Sequence, residues 1–329
     1  MRKFFYCFAF FVPMVSLLFN ACDKVLKYDV PVIGISFSGV DNDFRKAAVQ
    51  NAMNSIADLG WGYAYKPSLN LEDQVLRLDS ILERGCDALI VMPQNRELFG
   101  KDIIKKVNEL GIPLICFEEK PESDDVEYAA FVSGDNVGAG TNAAAFMADT
   151  LSKIAETSKK VLLMTVPSEP ASQVRINAFK KEGDKYLGFV AVDECALNSY
   201  SREEAKAKFE MWIKALSPLA QRPHAVYAQD DEIALGVLDA IENLNIDDIK
   251  VVVGCGVSEK FLKRIKDSTE KLVLASTYYS PRMIHLCVEI ASQIILYGED
   301  PEQVKDNVIG ATVINKSNVD EYYNDLFTY

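Results

Sequence analysis

The sequence predicts an α/β protein built as two doubly wound parallel-sheet lobes. Three observations predict it: short apolar runs rich in β-branched residues alternate with helical periodicity, the alternation restarts after Gly134, and 329 residues are too many for one compact core. In the first series, Val32-Ile33-Gly34-Ile35 reads as a strand, and Phe44, Ala48, Ala52, Ile56 and Leu59 then recur every three or four residues as one helical face. Leu71, Val75, Leu78 and Leu82 line a second helix before the strand 88–92. Ile103, Val107 and Leu110 line a third before the strand 114–117. The second series offers strands at 161–166, 188–192, 225–228, 251–253 and 272–276, with helices between them. In such sheets ligands bind at the carboxyl ends of the strands, and two facing lobes collect those loops in one cleft.

The amino terminus has the order of a secretory signal. Arg2 and Lys3 precede an uncharged apolar stretch from Phe4 to Phe19, and Asn20-Ala21 leads into Cys22. The stretch is shorter than the roughly twenty residues a membrane-spanning helix needs, and Pro13 interrupts it, so a cleaved signal at 1–21 is expected. Leu18-Phe19-Asn20-Ala21-Cys22 resembles the lipobox of bacterial lipoproteins. That resemblance implies lipidation of Cys22, a linker over 22–29, and a protein held to the membrane by its lipid on the periplasmic side or at the cell surface.

Composition narrows the function. Hydrophobic content of 49% and charged content of 25% are those of an ordinary globular protein. A formal net charge of −13, more negative once Arg2 and Lys3 depart, disfavours nucleic acid and anionic surfaces as partners. Cys86, Cys116, Cys195, Cys255 and Cys287 are odd in number, form no CxxC pair and mostly sit in or beside apolar runs, which favours buried free thiols. His224 and His285 are far apart without matching cysteine spacing, so no metal site is expected. Gly138-Ala139-Gly140-Thr141-Asn142-Ala143 spells GxGxxA, with Glu156 downstream, and would suit a dinucleotide-dependent oxidoreductase. However, it falls past the strand end and inside a helical pattern, where small residues allow close packing on the sheet. No cofactor is expected. P-loop, HExxH and GxSxG motifs are absent, and the chain is not read as an enzyme.

Five segments carry a family resemblance: Ser38 to Phe44, Phe117 to Pro121, Val132 to Asn136, Arg175 to Phe179, and Tyr227-Ala228-Gln229-Asp230-Asp231-Glu232-Ile233-Ala234-Leu235-Gly236. With the strand-helix series around them, the chain resembles the type I periplasmic binding proteins of the glucose/galactose- and ribose-binding kind. The resemblance implies that Asn42 bonds a sugar hydroxyl, Phe44 stacks on the sugar face, Arg175 donates to ring or hydroxyl oxygens, and Tyr200 supplies the opposite aromatic wall. Sugars suit such sites because C–H-rich faces pack on rings while planar polar groups bond the hydroxyl edge. Glu118, Asp230 and Tyr278 depart from the residues usual at their places, and Gly256 stands where a hydroxyl-binding Asp is usual. The added carboxylates favour a ligand with more donors or a positive amine. The residues also admit plainer roles: Asn42 as a helix cap, Phe44 as core, Arg175 as a solvated ion pair, Tyr278 as a strand aromatic, and Asp231 as a first-turn acid.

The resemblance further implies lobes at 30–133 plus 280–309 and at 137–277 plus 312–329, joined by a three-strand hinge. The expected function is capture of a small polar solute, a sugar or sugar derivative, by a monomer that hands its closed form to an ABC-type permease. The alternative partner is a membrane receptor or histidine kinase of a sensory system.

Overall fold

The computed structural model describes residues 30–37, 39, 42–155, 158–216, 222–298, 305–324 and 328–329. Cys22 and the whole signal lie outside the described residues.

The chain begins with β1 (Val32–Phe37), α1 (Asp43–Asp58), β2 (Gly62–Tyr65), α2 (Leu71–Arg84), β3 (Ala88–Met92), α3 (Asp102–Glu109), β4 (Leu114–Phe117) and β5 (Ala130–Gly134). It then passes through α4 (Asn136–Leu151) into β6 (Lys159–Thr165), α5 (Pro170–Gly183), β7 (Phe189–Ala196), α6 (Arg202–Ala215), β8 (Ala225–Ala228), α7 (Asp231–Leu244), β9 (Val251–Cys255), α8 (Glu259–Asp267) and β10 (Val273–Thr277). The last described elements are α9 (Ile284–Tyr297), β11 (Asp306–Ile309), β12 (Val313–Asn315) and α10 (Val319–Tyr322).

Two six-stranded sheets result, in the orders β11-β5-β4-β3-β1-β2 and β12-β10-β9-β8-β6-β7. The first is parallel throughout. In the second, β12 runs antiparallel to β10. The chain crosses between the sheets three times: after β5, after β10, and between β11 and β12.

The central strands are apolar on both faces because both faces are covered. Ile33, Ile35, Phe37, Ile90, Ile115 and Phe117 pack under α1 and α9, whereas Leu89, Val91, Leu114 and Cys116 pack under α2 and α3. The second sheet divides likewise, with Leu162, Met164, Val226 and Ala228 on one face and Val161, Leu163, Ala225 and Tyr227 on the other.

The expected strands and helices are present, with local shifts. Leu59 and Leu110, read as the last residues of apolar faces, are instead exposed C-caps. Each precedes a glycine of positive φ, Gly60 at 72° and Gly111 at 65°, which ends the helix before the leucine can turn inward. Short β2, β11 and β12 had no apolar run long enough to mark them. Gly138 to Ala143 lie within α4, and the close packing there is against α5 rather than the sheet: a Cβ on Gly140 would fall 2.1 Å from the Arg175 carbonyl oxygen. That backbone contact leaves no approach for a pyrophosphate. The five cysteines are free, four of them buried and Cys86 half-buried. No helix among the described residues is long and apolar enough to cross a membrane.

Candidate functional site

The carboxyl ends of the strands from both sheets meet around one small cavity of about 70 Å³. On this measure a buried water needs about 10–15 Å³, so the space holds about five to seven waters, the bulk of one small solute. Asn42, Phe44, Arg45, Met92, Glu118 and Tyr279 line it from the first lobe and the crossover after β10. Glu169, Ala171, Arg175, Tyr200, Asp230, Cys255 and Tyr329 line it from the second. A larger hollow of about 870 Å³ lies at the opposite ends of β4 and β5, lined by one lobe through Pro113, Leu114, Ala129 and the loop before them. It lacks the two-sided arrangement and the strand-end position of a ligand cleft in this fold class.

Arg175 is the centre of the cavity's polar network. It projects from α5 and is 5% exposed. Its Nε donates to Asn136 Oδ1 at 2.8 Å and its Nη1 to the Gln229 carbonyl at 2.9 Å. The guanidinium lies over the Tyr279 ring, 4.2 Å from the centroid, a cation–π contact strengthened by desolvation. Both acceptors are neutral, so the cation keeps its charge for whatever enters the cavity. Gln229 is itself locked: its Oε1 accepts from Val166 N at 3.2 Å and from the Ser172 hydroxyl, and its Nε2 donates to Ser172 O at 2.6 Å.

Glu118 follows β4 with φ of +68°, a left-handed conformation that costs a non-glycine residue about 1–3 kcal/mol and is held by the Glu118 N–H donating to Val132 O at 2.9 Å. The Tyr279 hydroxyl donates to its Oε2, while buried Oε1 has no partner among the described residues. Burial pushes the carboxyl up to about 7, against the lowering pull of the Tyr279 hydroxyl and of Arg175. Asp230 caps α7, its carboxylate accepting from Glu232 N at 2.8 Å. Burial raises it to about 7 as well, opposed by that backbone donor and by Arg175. A carboxyl near 7 at neutral pH can either donate or accept, as a sugar hydroxyl can.

Asn42 caps α1 by accepting from Arg45 N at 2.8 Å and also faces the cavity, so its two readings coexist. Phe44 is half-buried between Phe117, Tyr279 and Tyr329, with centroids 6.4, 5.7 and 6.2 Å away. Tyr200 lines the second lobe's side. Six of the seven residues singled out from the sequence therefore converge on the cavity.

Tyr278 does not. Its N–H donates to Thr312 O at 2.8 Å, and its ring packs against Tyr322 at 6.0 Å, away from the cleft. The cavity wall is its neighbour Tyr279, 4% exposed, whose ring lies so close to Gly134 that a Cβ there would sit 2.3 Å from it. Asp231 opens α7 as expected but is fully buried, accepting from Ser258 N at 3.0 Å and the Ser276 hydroxyl at 2.7 Å. It ties α7 to the loop after β9 instead of facing water.

Sequence reasoning also missed Arg45, Glu169 and Tyr329. Arg45 on α1 and Glu169 before α5 approach to 3.5 Å across the cleft, and Lys260 of α8 reaches Asp43 of α1 at 3.9 Å. The available signal for the first pair was position alone: each lies where a strand end gives way to a helix.

Known proteins share this architecture. The chain is 27% identical over 275 residues to a ribose import binding protein of Bacillus subtilis, covering 81% of this chain and 82% of the relative. It is 25% identical over 314 residues to a xylitol-binding protein of Mycolicibacterium smegmatis, covering 93% and 84%. Among solved structures, the binding component of an arabinose ABC transporter from a Shewanella species superposes with a TM-score of 0.77 at 18% identity, covering 89% of this chain and 94% of that one. A myo-inositol binding protein from Caulobacter gives 0.75 at 20%, covering 89% and 97%. Residues 33–300 match the family model described as the periplasmic binding protein domain, and the chain belongs to that family.

Proposed function

We propose that the protein captures a neutral, hydroxyl-rich solute, a sugar or polyol, outside the cytoplasm and presents it to an ABC-type importer without making or breaking a bond in it. The observation that carries this reading is the cavity itself, where six of the residues picked from sequence meet from both lobes. Phe44, Tyr200 and Tyr279 offer apolar faces, Arg175 donates, and Glu118 and Asp230 exchange donor and acceptor roles with hydroxyls. A fixed positive charge on the ligand would lie beside the Arg175 guanidinium, which disfavours an amine. The ribose- and xylitol-binding relatives support the same class.

In this reading the lobes are 30–133 plus 280–309 and 137–277 plus 312–329, and the three crossings between the sheets act as the hinge. Ligand contacts drawn from both lobes are complete only when the cleft is closed, so the ligand favours closure by its differential affinity for that state. Signal cleavage and lipidation at Cys22 anchor a monomer near its permease. Substitution Cys22→Ser should move the protein from the detergent phase to the aqueous phase on phase separation.

Mass spectrometry of small molecules released from the purified protein, followed by calorimetry with the identified compound, tests the function. A sugar or polyol is expected, with binding lost in Phe44→Ala and Arg175→Ala. Unchanged affinity in both variants rejects the site. Release of a nucleotide cofactor rejects the function.

A further inference from the structure

Beside Cys255 in the cavity wall, Gly256 is bare for a structural reason. Its φ is +151°, and a Cβ there would lie 2.8 Å from Oδ2 of the buried Asp231, whose Oδ2 accepts from Ser258 N and whose Oδ1 accepts from the Ser276 hydroxyl. No side chain can therefore reach the cavity from position 256 without displacing that carboxylate. The Tyr329 hydroxyl lies 3.2 Å from the place that Cβ would occupy. Its ring meets Phe44 edge-on at 6.2 Å, so the phenol spans the cleft from one lobe's backbone to the other lobe's aromatic wall. The hydroxyl has no hydrogen-bond partner among the described residues, and burial raises its pKa, keeping it protonated as a donor.

Both lobes hold this residue in place. Arg282 Nε, just before α9, donates to the Thr328 carbonyl at 3.3 Å. Glu259 N, at the start of α8, donates to the Tyr329 main-chain oxygen at 3.1 Å. Thr328 N and Oγ1 both donate to Asn324 O, at 3.1 and 2.9 Å.

We propose that Tyr329 is a specificity-determining residue of the solute site, its hydroxyl bonding a ligand hydroxyl at the position Gly256 leaves empty and its ring backing Phe44. This rests on the reading of the cleft as the solute site. A protonated phenol offers its O–H to the cavity, which favours a ligand oxygen that accepts.

The test uses the full chain with D-ribose, xylitol, D-fructose, L-arabinose and myo-inositol as probes. Tyr329→Phe should weaken the best-bound probe about three- to tenfold, the range for one neutral hydrogen bond, and Tyr329→Leu should weaken it further and reorder the probes. Equal affinities for every probe in wild type and both variants would overturn the proposal. A second measurement needs no ligand: in protein labelled with 3-fluorotyrosine, the fluorine resonance missing from Tyr329→Phe belongs to Tyr329. Protection of that resonance from a soluble gadolinium chelate supports the placement; broadening equal to that of exposed Tyr63 overturns it. If the wild type binds none of the probes, the ligand class proposed above fails, and the fluorine measurement alone decides the placement of Tyr329.

Discussion

Replacing Gly140 by alanine isolates the contact that sets Arg175. In an exposed helix the change would stabilise by about 1 kcal/mol, because glycine costs more backbone entropy than alanine. Here the new Cβ would lie 2.1 Å from the Arg175 carbonyl oxygen and 3.0 Å from Phe179 N. Reaching an ordinary contact of 3.4 Å requires α4 and α5 to separate by about 1.3 Å, an overpacking that costs about 1–3 kcal/mol or more. Both neighbours are backbone, which cannot swing aside as a flexible side chain does. With both neighbours rigid the cost falls in the upper part of that range, about 2–3 kcal/mol, which leaves a net loss of about 1–2 kcal/mol. Urea unfolding followed by the fluorescence of Trp212, which sits on α6 of the same lobe, should show a lower midpoint with unchanged slope. Gly100→Ala is the control, since a Cβ there meets nothing within 4 Å and should change stability by less than about 0.5 kcal/mol. Because α5 carries Arg175, ligand affinity should fall along with stability. A Gly140→Ala midpoint equal to or above wild type would refute the packing argument.

Three further outcomes are expected. Glu118, Asp230 and Asp231 have carboxyls raised by burial to about 7, 7 and 8 in the folded protein, against about 4 when unfolded. The folded state therefore binds more protons between these limits. Stability is full below about pH 4 on this account and falls as pH rises to about 8, so a urea midpoint that climbs from pH 5 to pH 8 contradicts it. Tyr279→Phe removes the donor to Glu118 Oε2 and leaves both oxygens without a partner among the described residues; the Glu118 pKa, read by carboxyl NMR, should rise further, and a fall would show that another donor governs it. Glu169→Gln breaks the pair with Arg45 across the cleft, worth about 0.2–1 kcal/mol for partly exposed groups. Ligand affinity should drop less than about fivefold while small-angle scattering shows a larger mean radius; a loss of a hundredfold would mean Glu169 contacts the ligand directly.

Much of this architecture was written in apolar periodicity, and the parts that were not share one physical cause. Strands buried on both faces appear as unbroken apolar runs, so β3, β4 and β8 are legible to the residue. The short edge strands β11 and β12 are not, since they are partly exposed and defined by pairing partners far along the chain, whereas the longer edge strand β7 is legible at 188–192. The error at Tyr278 follows from that. Two adjacent tyrosines leave the sequence indifferent as to which faces the cleft, and a shift of one residue reverses both. What decides is the antiparallel pairing of β10 with β12, continued by Tyr278 N to Thr312 O, which turns Tyr278 outward and Tyr279 in. Six of the seven site residues were reached through the family resemblance; five of them lie at or just after strand ends, where this fold class directs ligands, and Arg175 projects from within α5. Tyr329 carries no local signal, and Arg45 and Glu169 carry only their positions between strand end and helix. Tyr329 meets Gly256 only because Asp231 excludes a side chain there, a constraint set by Ser258 and Ser276 from separate segments. The chemistry of the cleft is thus legible where one strand end supplies it, and illegible where three segments must agree before a side chain has room.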